Sequence, residues 1–320
     1  MNFLRRAAPT ALAAAALAAV APSHALDLEV ALDGIPLSER LHLLRTDSVI
    51  GNPTSVLYLG KQGSVLIDAN LLEAAPLIRE YVKREGGGPI RTVATTHYHT
   101  DHVHGLEAFG PDATVITPVA QAERLKHSAL LEEGGPPLVA GGQPDETFER
   151  ERIIELDGAQ VVLRTLPRAD GHTDGDLVAW FPAERVLYVG DYYFPDKWPI
   201  IDLEGGGDLQ GYLANVQHLL RSYPGDMRVI AGHGTFKPEE PRAYKASEYH
   251  RWLQTLRRSV ATIRGGMQQG KTREQLIAEG LPEPMQSMGE KPRFVSTEQW
   301  IGFVYDYLEA NPPVQPGTSG

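Results

Sequence analysis

The chain has 320 residues, 41 acidic against 30 basic side chains and no cysteine, for a net charge of −11 at neutral pH. An acidic surface argues against nucleic acid and anionic membrane surfaces as partners, because phosphate binding wants a basic face. A chain of this size can bury one large layered core plus an appendage, held without disulfides.

The N-terminal stretch reads as a processing segment. Arg5 and Arg6 precede an Ala/Leu-rich run over residues 7–20, and Ser23-His24-Ala25 offers a small-residue cleavage site. Residues 1–25 are therefore expected to be a signal peptide cleaved after Ala25, which directs the chain to the periplasm or the outside. The apolar run is too short to be read as a membrane span. Removing two arginines and no acid takes the charge from −11 to −13.

Residues 41–45, 55–59 and 64–67 read as short strands, with Gly60-Lys61-Gln62-Gly63 as a hairpin turn. Residues 71–84 have helical periodicity, stopped by Gly86-Gly87-Gly88-Pro89. A strand at 90–95, another at 113–116 and a helix at 119–131 follow. The Gly/Pro-rich stretch 134–147 is read as a connector in preference to a flap. Strands are expected at 153–156, 161–166, 177–181 and 186–189, then a helix at 209–222 and a strand at 227–231. Beyond Gly234 the pattern is helical: residues 242–267, residues 272–279 with Thr272 as N-cap and Gln275 three positions on, and residues 297–310 behind Ser296. Aromatic residues such as Tyr249, Trp252, Trp300 and Tyr305 recur there at helical spacing, which points to core packing or a homodimer surface. Residues 311–320 read as a frayed tail. Periodicity alone gives a mixed α and β chain.

The densest chemistry follows the strand at 90–95. His97, His99, Asp101 and His102 fall within six residues at the strand exit, a pattern that delivers metal ligands. In an extended loop alternate side chains share a side. That groups His97, His99 and Asp101 and turns His102 elsewhere, so two adjacent metals are easier to serve than one. Three more candidates each lie beside an apolar run and a glycine: His172 in Gly171-His172-Thr173, Asp191 after Gly190, and His233 between Gly232 and Gly234. Glycine there permits the sharp turn that lets a short side chain reach an ion. Imidazole nitrogen and carboxylate oxygen suit zinc, with iron or manganese as alternatives. Tyr192, Tyr193, Phe194, Lys197 and Trp198 follow Asp191 directly. They suggest an aromatic wall with one cation for an apolar substrate bearing a carboxylate, against the competing reading of a solvated Lys197. His104 is read as a surface residue, and His42, His127, His218 and His250 as surface or helix-face residues.

His97-x-His99-x-Asp101-His102, Gly171-His172-Thr173, Gly190-Asp191 and Gly232-His233-Gly234, in that order, resemble the metallo-β-lactamase superfamily over residues 40–235 or so. The resemblance implies an α+β fold, a four-layered αββα sandwich at residues 26–238, followed by a C-terminal helical extension at 239–310. It implies two divalent metal ions, zinc first. His97, His99 and His172 would hold one, Asp101, His102 and His233 the other, and Asp191 would bridge them. A hydroxide shared by the pair is the implied nucleophile, with Asp101 orienting it and passing a proton to the leaving group. Asp68, at a place where the family often has an acid, is read as bracing the metal loop. Aspartate in place of cysteine at 191 looks more like the family's lactonases and thioester hydrolases than its β-lactamases. Lys197 follows Asp191 at a longer spacing than the lysine those β-lactamases use for a substrate carboxylate. The expected function is an exported hydrolase of an ester, lactone, thioester or amide bond in a small-molecule substrate. The alternatives are a β-lactamase, an iron-dependent sulfur oxygenase, and a non-enzymatic metal- or partner-binding periplasmic protein.

Overall fold

The computed structural model describes residues 29–48, 52–127, 142–234, 243–290 and 294–312. The signal-peptide reading and most of the 134–147 stretch lie outside the described residues. Strand β1 (Ala31–Pro36) pairs antiparallel with β2 (Leu41–Asp47), β2 with β3 (Thr54–Tyr58), and β3 turns at Gly60-Lys61-Gln62-Gly63 into β4 (Ser64–Ile67). Helix α1 (Ala75–Arg84) begins with proline in its first turn, where no intrahelical N–H is lost. It crosses over to β5 (Ile90–Ala94), which lies parallel to β4. Short helices α2 (Thr100–Val103) and α3 (Leu106–Phe109) lead to β6 (Thr114–Pro118), then α4 (Val119–His127) and β7 (Glu146–Phe148). The seven strands lie in sequence order in one sheet.

The second sheet has six strands: β8 (Glu151–Leu156), β9 (Ala159–Thr165), β10 (Leu177–Phe181), β11 (Val186–Tyr188), β12 (Arg228–Ile230) and β13 (Tyr244–Lys245). Helix α5 (Leu209–Ser222) crosses between β11 and β12, which are parallel. Asp208 caps it by accepting from Gly211 N, a contact worth about 1 kcal/mol.

Side-chain alternation assigns each strand's residues to one of two faces. Val65 and Ile67 of β4 meet Leu177, Ala179 and Phe181 of β10 between the sheets. Leu66 points the other way, into a cluster with Ile78 and Tyr81 of α1 and Phe109 of α3. Val178 of β10 and Leu187 of β11 face outward onto α5. Three apolar clusters therefore separate four layers, an αββα sandwich.

The C-terminal helices α6 (Ala246–Gln268), α7 (Arg273–Glu279) and α8 (Thr297–Ala310) share the third cluster. Thr272 and Ser296 each accept from the N3 backbone, completed by Gln275 and Gln299 as capping boxes. Trp300 of α8 stacks on Trp198 with centroids 4.9 Å apart, an aromatic pair worth about 1 kcal/mol beyond its burial. Among the described residues no helix is long and apolar enough to cross a membrane.

Strands β1, β7 and β13 were not legible in the pattern. Gly34 and Pro36 disguise β1; Gly34 is needed because the Tyr81 ring fills the space of its missing Cβ. Helix α6 starts four residues later than its periodicity suggests, at 246 against 242, because Lys245 is extended and pairs in β13. The expected helix 119–131 is described only to His127.

Candidate metal centre

The candidate ligands lie in the segments that follow β5, β9, β11 and β12. Asp68, just past β4 at φ 64°, accepts from Thr96 N at 2.6 Å and from Thr96 Oγ1 at 2.9 Å. This fixes the chain as it leaves β5. The next residues are not an extended loop. A turn of helix at Thr100–Val103 turns Asp101 and His102 to the same side as His233, so the expected grouping of Asp101 with His97 and His99 gives way to helical geometry. Asp191 follows β11 and Gly190, whose φ of 51° suits glycine. His233 follows β12 and bridges to Pro53. A Cβ on Gly232 would fall 2.1 Å from Asp191 Oδ1, so only glycine lets these two loops meet.

The side chains converge as two groups: His97, His99, His172 and Asp191, then Asp101, His102 and His233. His99 Nδ1 lies 3.0 Å from His97 Nε2 and 3.2 Å from His172 Nε2. Ligands of one tetrahedral zinc sit about 3.3 Å apart, given bonds of about 2.0 Å. Asp191 reaches both groups: its Oδ2 is 3.6 Å from His172 Nε2 and 3.3 Å from His233 Nε2, and its Oδ1 is 3.5 Å from His102 Nε2. Asp101 Oδ2 lies 3.4 Å from His233 Nε2. His102 Nε2 and Asp191 Oδ1 are buried, face each other and have no hydrogen-bond partner. Leaving such groups unpaired costs about 1–3 kcal/mol each, and a cation between them satisfies both. The donor set and its spacing fit divalent metal ions.

The nitrogens pointing away from the centre are held in turn. His97 Nδ1 is 3.0 Å from Thr96 Oγ1, whose proton goes to Asp68. His99 Nε2 is 3.0 Å from Asp202 Oδ2, His172 Nδ1 2.9 Å from the Ile200 carbonyl, and His102 Nδ1 2.7 Å from Asp68 Oδ2. Such contacts fix the tautomer and the ring plane of a ligand. Asp202 is itself fixed by Tyr98 Oη–H and by Gly205 N. Asp176 accepts from His172 N, from Thr173 N and Oγ1, and from Tyr192 Oη, and so shapes the His172 turn.

Burial and then the neighbouring imidazoles hold His97 well below the usual histidine range, and burial brings His172 down to about 4. Burial works against charge on His102 as well, but Asp101, Asp68 and Asp191 outweigh it and hold it up to about 10. Asp191 is driven well below the usual carboxylate range against its burial, by His233 and His102. Burial pushes Asp176 up to about 6 despite the donors around it. The centre thus keeps the Asp191 carboxylate ionised and the His97 and His172 imidazoles neutral, as cation ligands must be.

Other candidates lie elsewhere than the sequence suggests. Tyr192, Tyr193 and Trp198 are buried core residues. Tyr192 stacks on Tyr212, Tyr193 packs on Tyr249 and Trp252, and Trp198 Nε1 donates to Thr297 Oγ1 at 3.1 Å. They seat α5, α6 and α8 against the metal loop and leave no face for a substrate. Lys197 is not solvated: it is 2% exposed, with Nζ 4.3 Å from the Phe294 ring centroid. His104 is buried, not on the surface, and its Nδ1 has no hydrogen-bond partner. His42 is buried on β2 against the Tyr81 hydroxyl at 2.8 Å. His218 and His250 are exposed on helix faces. The supports Thr96, Asp202 and Asp176 escaped sequence reasoning. Asp176 had a local signal, an acid three residues after Thr173; Asp202 had none, because only the folded loop brings it to His99.

Residues 49–233 match the family model of the metallo-beta-lactamase superfamily. The chain is 28% identical over 180 residues to a hydroxyacylglutathione hydrolase from Bartonella henselae, covering 55% of this chain and 61% of that protein. It is 25% identical over 162 residues to a metallo-beta-lactamase type 2 from Elizabethkingia meningoseptica, covering 50% of this chain and 59% of that protein. The chain thus spans less than two thirds of the length of these curated relatives. Among solved structures, a metallo-beta-lactamase from Pontibacter korlensis superposes with a TM-score of 0.57 at 21% identity, covering 71% of this chain and 99% of that one. At that identity the likeness is one of fold.

Proposed function

From the premise that the chain belongs to the metallo-beta-lactamase superfamily, we propose that it is an exported, metal-dependent hydrolase of thioester, ester, lactone or amide bonds. The observation that carries this reading is Asp191, within 3.6 Å of His172 on one side and 3.3 Å of His233 on the other. One carboxylate between two imidazole groups suits a pair of ions sharing a ligand.

Divalent ions held there, zinc first by donor type, would supply Lewis acidity and acidify water to near neutrality. The chain's own residues do the rest. His97, His99 and His172 are oriented by Thr96, Asp202 and the Ile200 carbonyl, so the first group is set before substrate arrives. Asp101 is the ligand-set carboxylate with access to solvent, its side chain 19% exposed against 3% for Asp191. It is placed to take a proton and hand it to a departing sulfur, oxygen or nitrogen.

Thioesters and lactones rank ahead of β-lactams. An aspartate at 191 and the match to a hydroxyacylglutathione hydrolase, a name that denotes a thioester, support that order. Kinetics on a panel of thioesters, lactones and β-lactams, beside metal analysis of the natively purified protein, tests it. Thioester or lactone turnover with zinc is expected. A clear β-lactam preference would reverse the order, and stoichiometric iron with oxygen uptake would replace hydrolysis by oxidation. Export rests on the Arg5-Arg6 and Ala/Leu-rich leader pattern. It predicts a native protein whose mass begins at Leu26 in a periplasmic extract.

A further inference from the structure

A groove of about 390 Å³ lies between helix α8 and the loop after Asp191 that supports His172 and His99. Its walls are Pro199, Ile200 and Ile201 on one side and Phe294, Trp300 and Phe303 on the other. Among the described residues no ionisable side chain lines it. The one amide at its edge, Gln299, already accepts from Ser296 N in the α8 cap.

Both walls are tied to metal ligands. On the loop, the Ile200 carbonyl holds His172 Nδ1 at 2.9 Å, and Asp202 holds His99 Nε2 at 3.0 Å. Across the groove, the Phe294 ring lies 5.9 Å from the His233 ring, pinned from its other neighbour by the Lys197 ammonium at 4.3 Å. The groove therefore has a fixed position relative to His172 and His233. The loop also carries exposed apolar surface: Ile200 is 40% and Leu203 53% exposed, two of the four large apolar side chains so exposed among the described residues.

We infer that this groove receives a hydrocarbon substituent of the substrate, an acyl or alkyl chain attached at the scissile carbonyl. The inference rests on the hydrolase reading and names the substrate class for the same site. The size selects a small molecule. Ligand pockets run from about 300 Å³ upward, and this groove falls in that range. Two of the walls come from α8 and one from the segment just before it, so the C-terminal helices are specificity elements as well as core.

The test is a chain-length series of acyl thioesters and 4-nitrophenyl esters, acetyl to decanoyl, with the protein as purified. kcat/KM is expected to rise about three- to fourfold per methylene before levelling off as the groove fills. Phe303→Ser and Val295→Ser should each lower the octanoyl-to-acetyl ratio of kcat/KM, Phe303→Ser by about tenfold or more. Thermal unfolding identifies a variant that has lost its fold, and Val295→Ser, at the partly buried rim, is the milder of the two. Calorimetric binding of decanoate gives a readout apart from turnover and should weaken in both variants. Turnover with no dependence on chain length overturns the groove and leaves the hydrolase reading intact. Decanoate binding lost in the variants, without turnover on any substrate, supports the groove and sinks the hydrolase reading. A dimer that buries the groove and is indifferent to decanoate overturns the inference.

Discussion

The two ligand groups of the centre are built differently. In the first, each imidazole has its outer nitrogen fixed: His97 by Thr96, His99 by Asp202 and His172 by a backbone carbonyl. In the second, only His102 is so held, by Asp68; His233 Nδ1 is buried without a hydrogen-bond partner, and Asp101 is partly open to solvent. Preorganised ligands lose little on binding, while loosely held ones must be ordered by the ion itself. The first group is thus a fixed seat and the second an adjustable one, next to Asp101, the carboxylate proposed to move a proton.

The largest effect should come from the residue the two groups share. Asp191→Ala removes the carboxylate between them and leaves His102 and His233 facing one another. Activity should fall about a thousandfold or more, since on the proposed mechanism the ions would supply both the nucleophile and the charge stabilisation. Metal analysis should show both ions depleted. Retention of one full equivalent would mean that Asp191 serves only one group.

Asp68 and Asp202 sharpen the contrast. Asp202 supports the first group alone, through His99, and Asp202→Asn should weaken one metal by about 10- to 100-fold and leave the fold intact. Asp68 is fully buried and reaches both groups, through Thr96 to His97 and directly to His102, while also accepting from Tyr188 Oη at 2.6 Å. Asp68→Asn should weaken both metals and destabilise the protein by about 2–4 kcal/mol, because removing one member of a buried charged network strands the others. Equal effects of the two variants on metal content would erase the distinction between the groups.

Proton release separates the groups by a different route. His102 is held up to about 10, so in metal-free protein it is protonated at pH 7. In the first group His97 and His172 are lowered and so already neutral there, while burial works against charge on His99 but its hydrogen bond to Asp202, with Asp101 and Asp191, raises it. A cation entering the second group must displace the His102 proton, and its affinity should rise with pH, by up to tenfold per unit below about pH 10. Calorimetry in buffers of different ionisation enthalpy should assign more proton release to the weaker metal, which displaces the His102 proton, than to the tighter one. Stepwise chelation should remove the second group's ion first. Equal proton counts would refute the asymmetry.

The candidate ligands were legible in the sequence as residues that the fold brings together, and their supports were not, for a physical reason. A ligand must lie at a strand end next to a turn, and the chain marks such places locally, with Gly190 before Asp191 and Gly232 before His233. A support needs only to reach a ring nitrogen from any direction. Asp202 arrives from a loop 103 residues away from His99, and Ile200 acts through its backbone, which carries no residue signature. The sandwich was legible through strand alternation and helical periodicity, except where a strand was short, as β7 and β13, or interrupted by Gly34. The aromatic residues after Asp191 were misread because nearness in sequence to a ligand does not set direction. Tyr192 and Trp198 turn away from the centre into the cluster that seats the C-terminal helices.

His104 decides whether the second group has a support that its hydrogen bonds do not show. It follows His102 by two residues, is 5% exposed, and its Nδ1 is buried with no partner. Burial lowers its pKa against the pull of Glu107 and Glu73, so the ring is neutral at pH 7. A neutral, buried imidazole whose Nδ1 has no partner carries a desolvation cost that an apolar side chain of similar volume lacks. His104→Leu should therefore leave the melting temperature unchanged or raise it by a few degrees, with kcat/KM within about threefold of the parent and both metals retained. If the ring instead moves protons for Asp101, the same substitution would cut kcat by about a hundredfold at unchanged metal content and flatten the pH profile. The second group would then be no less supported than the first, only supported through a residue that acts during turnover.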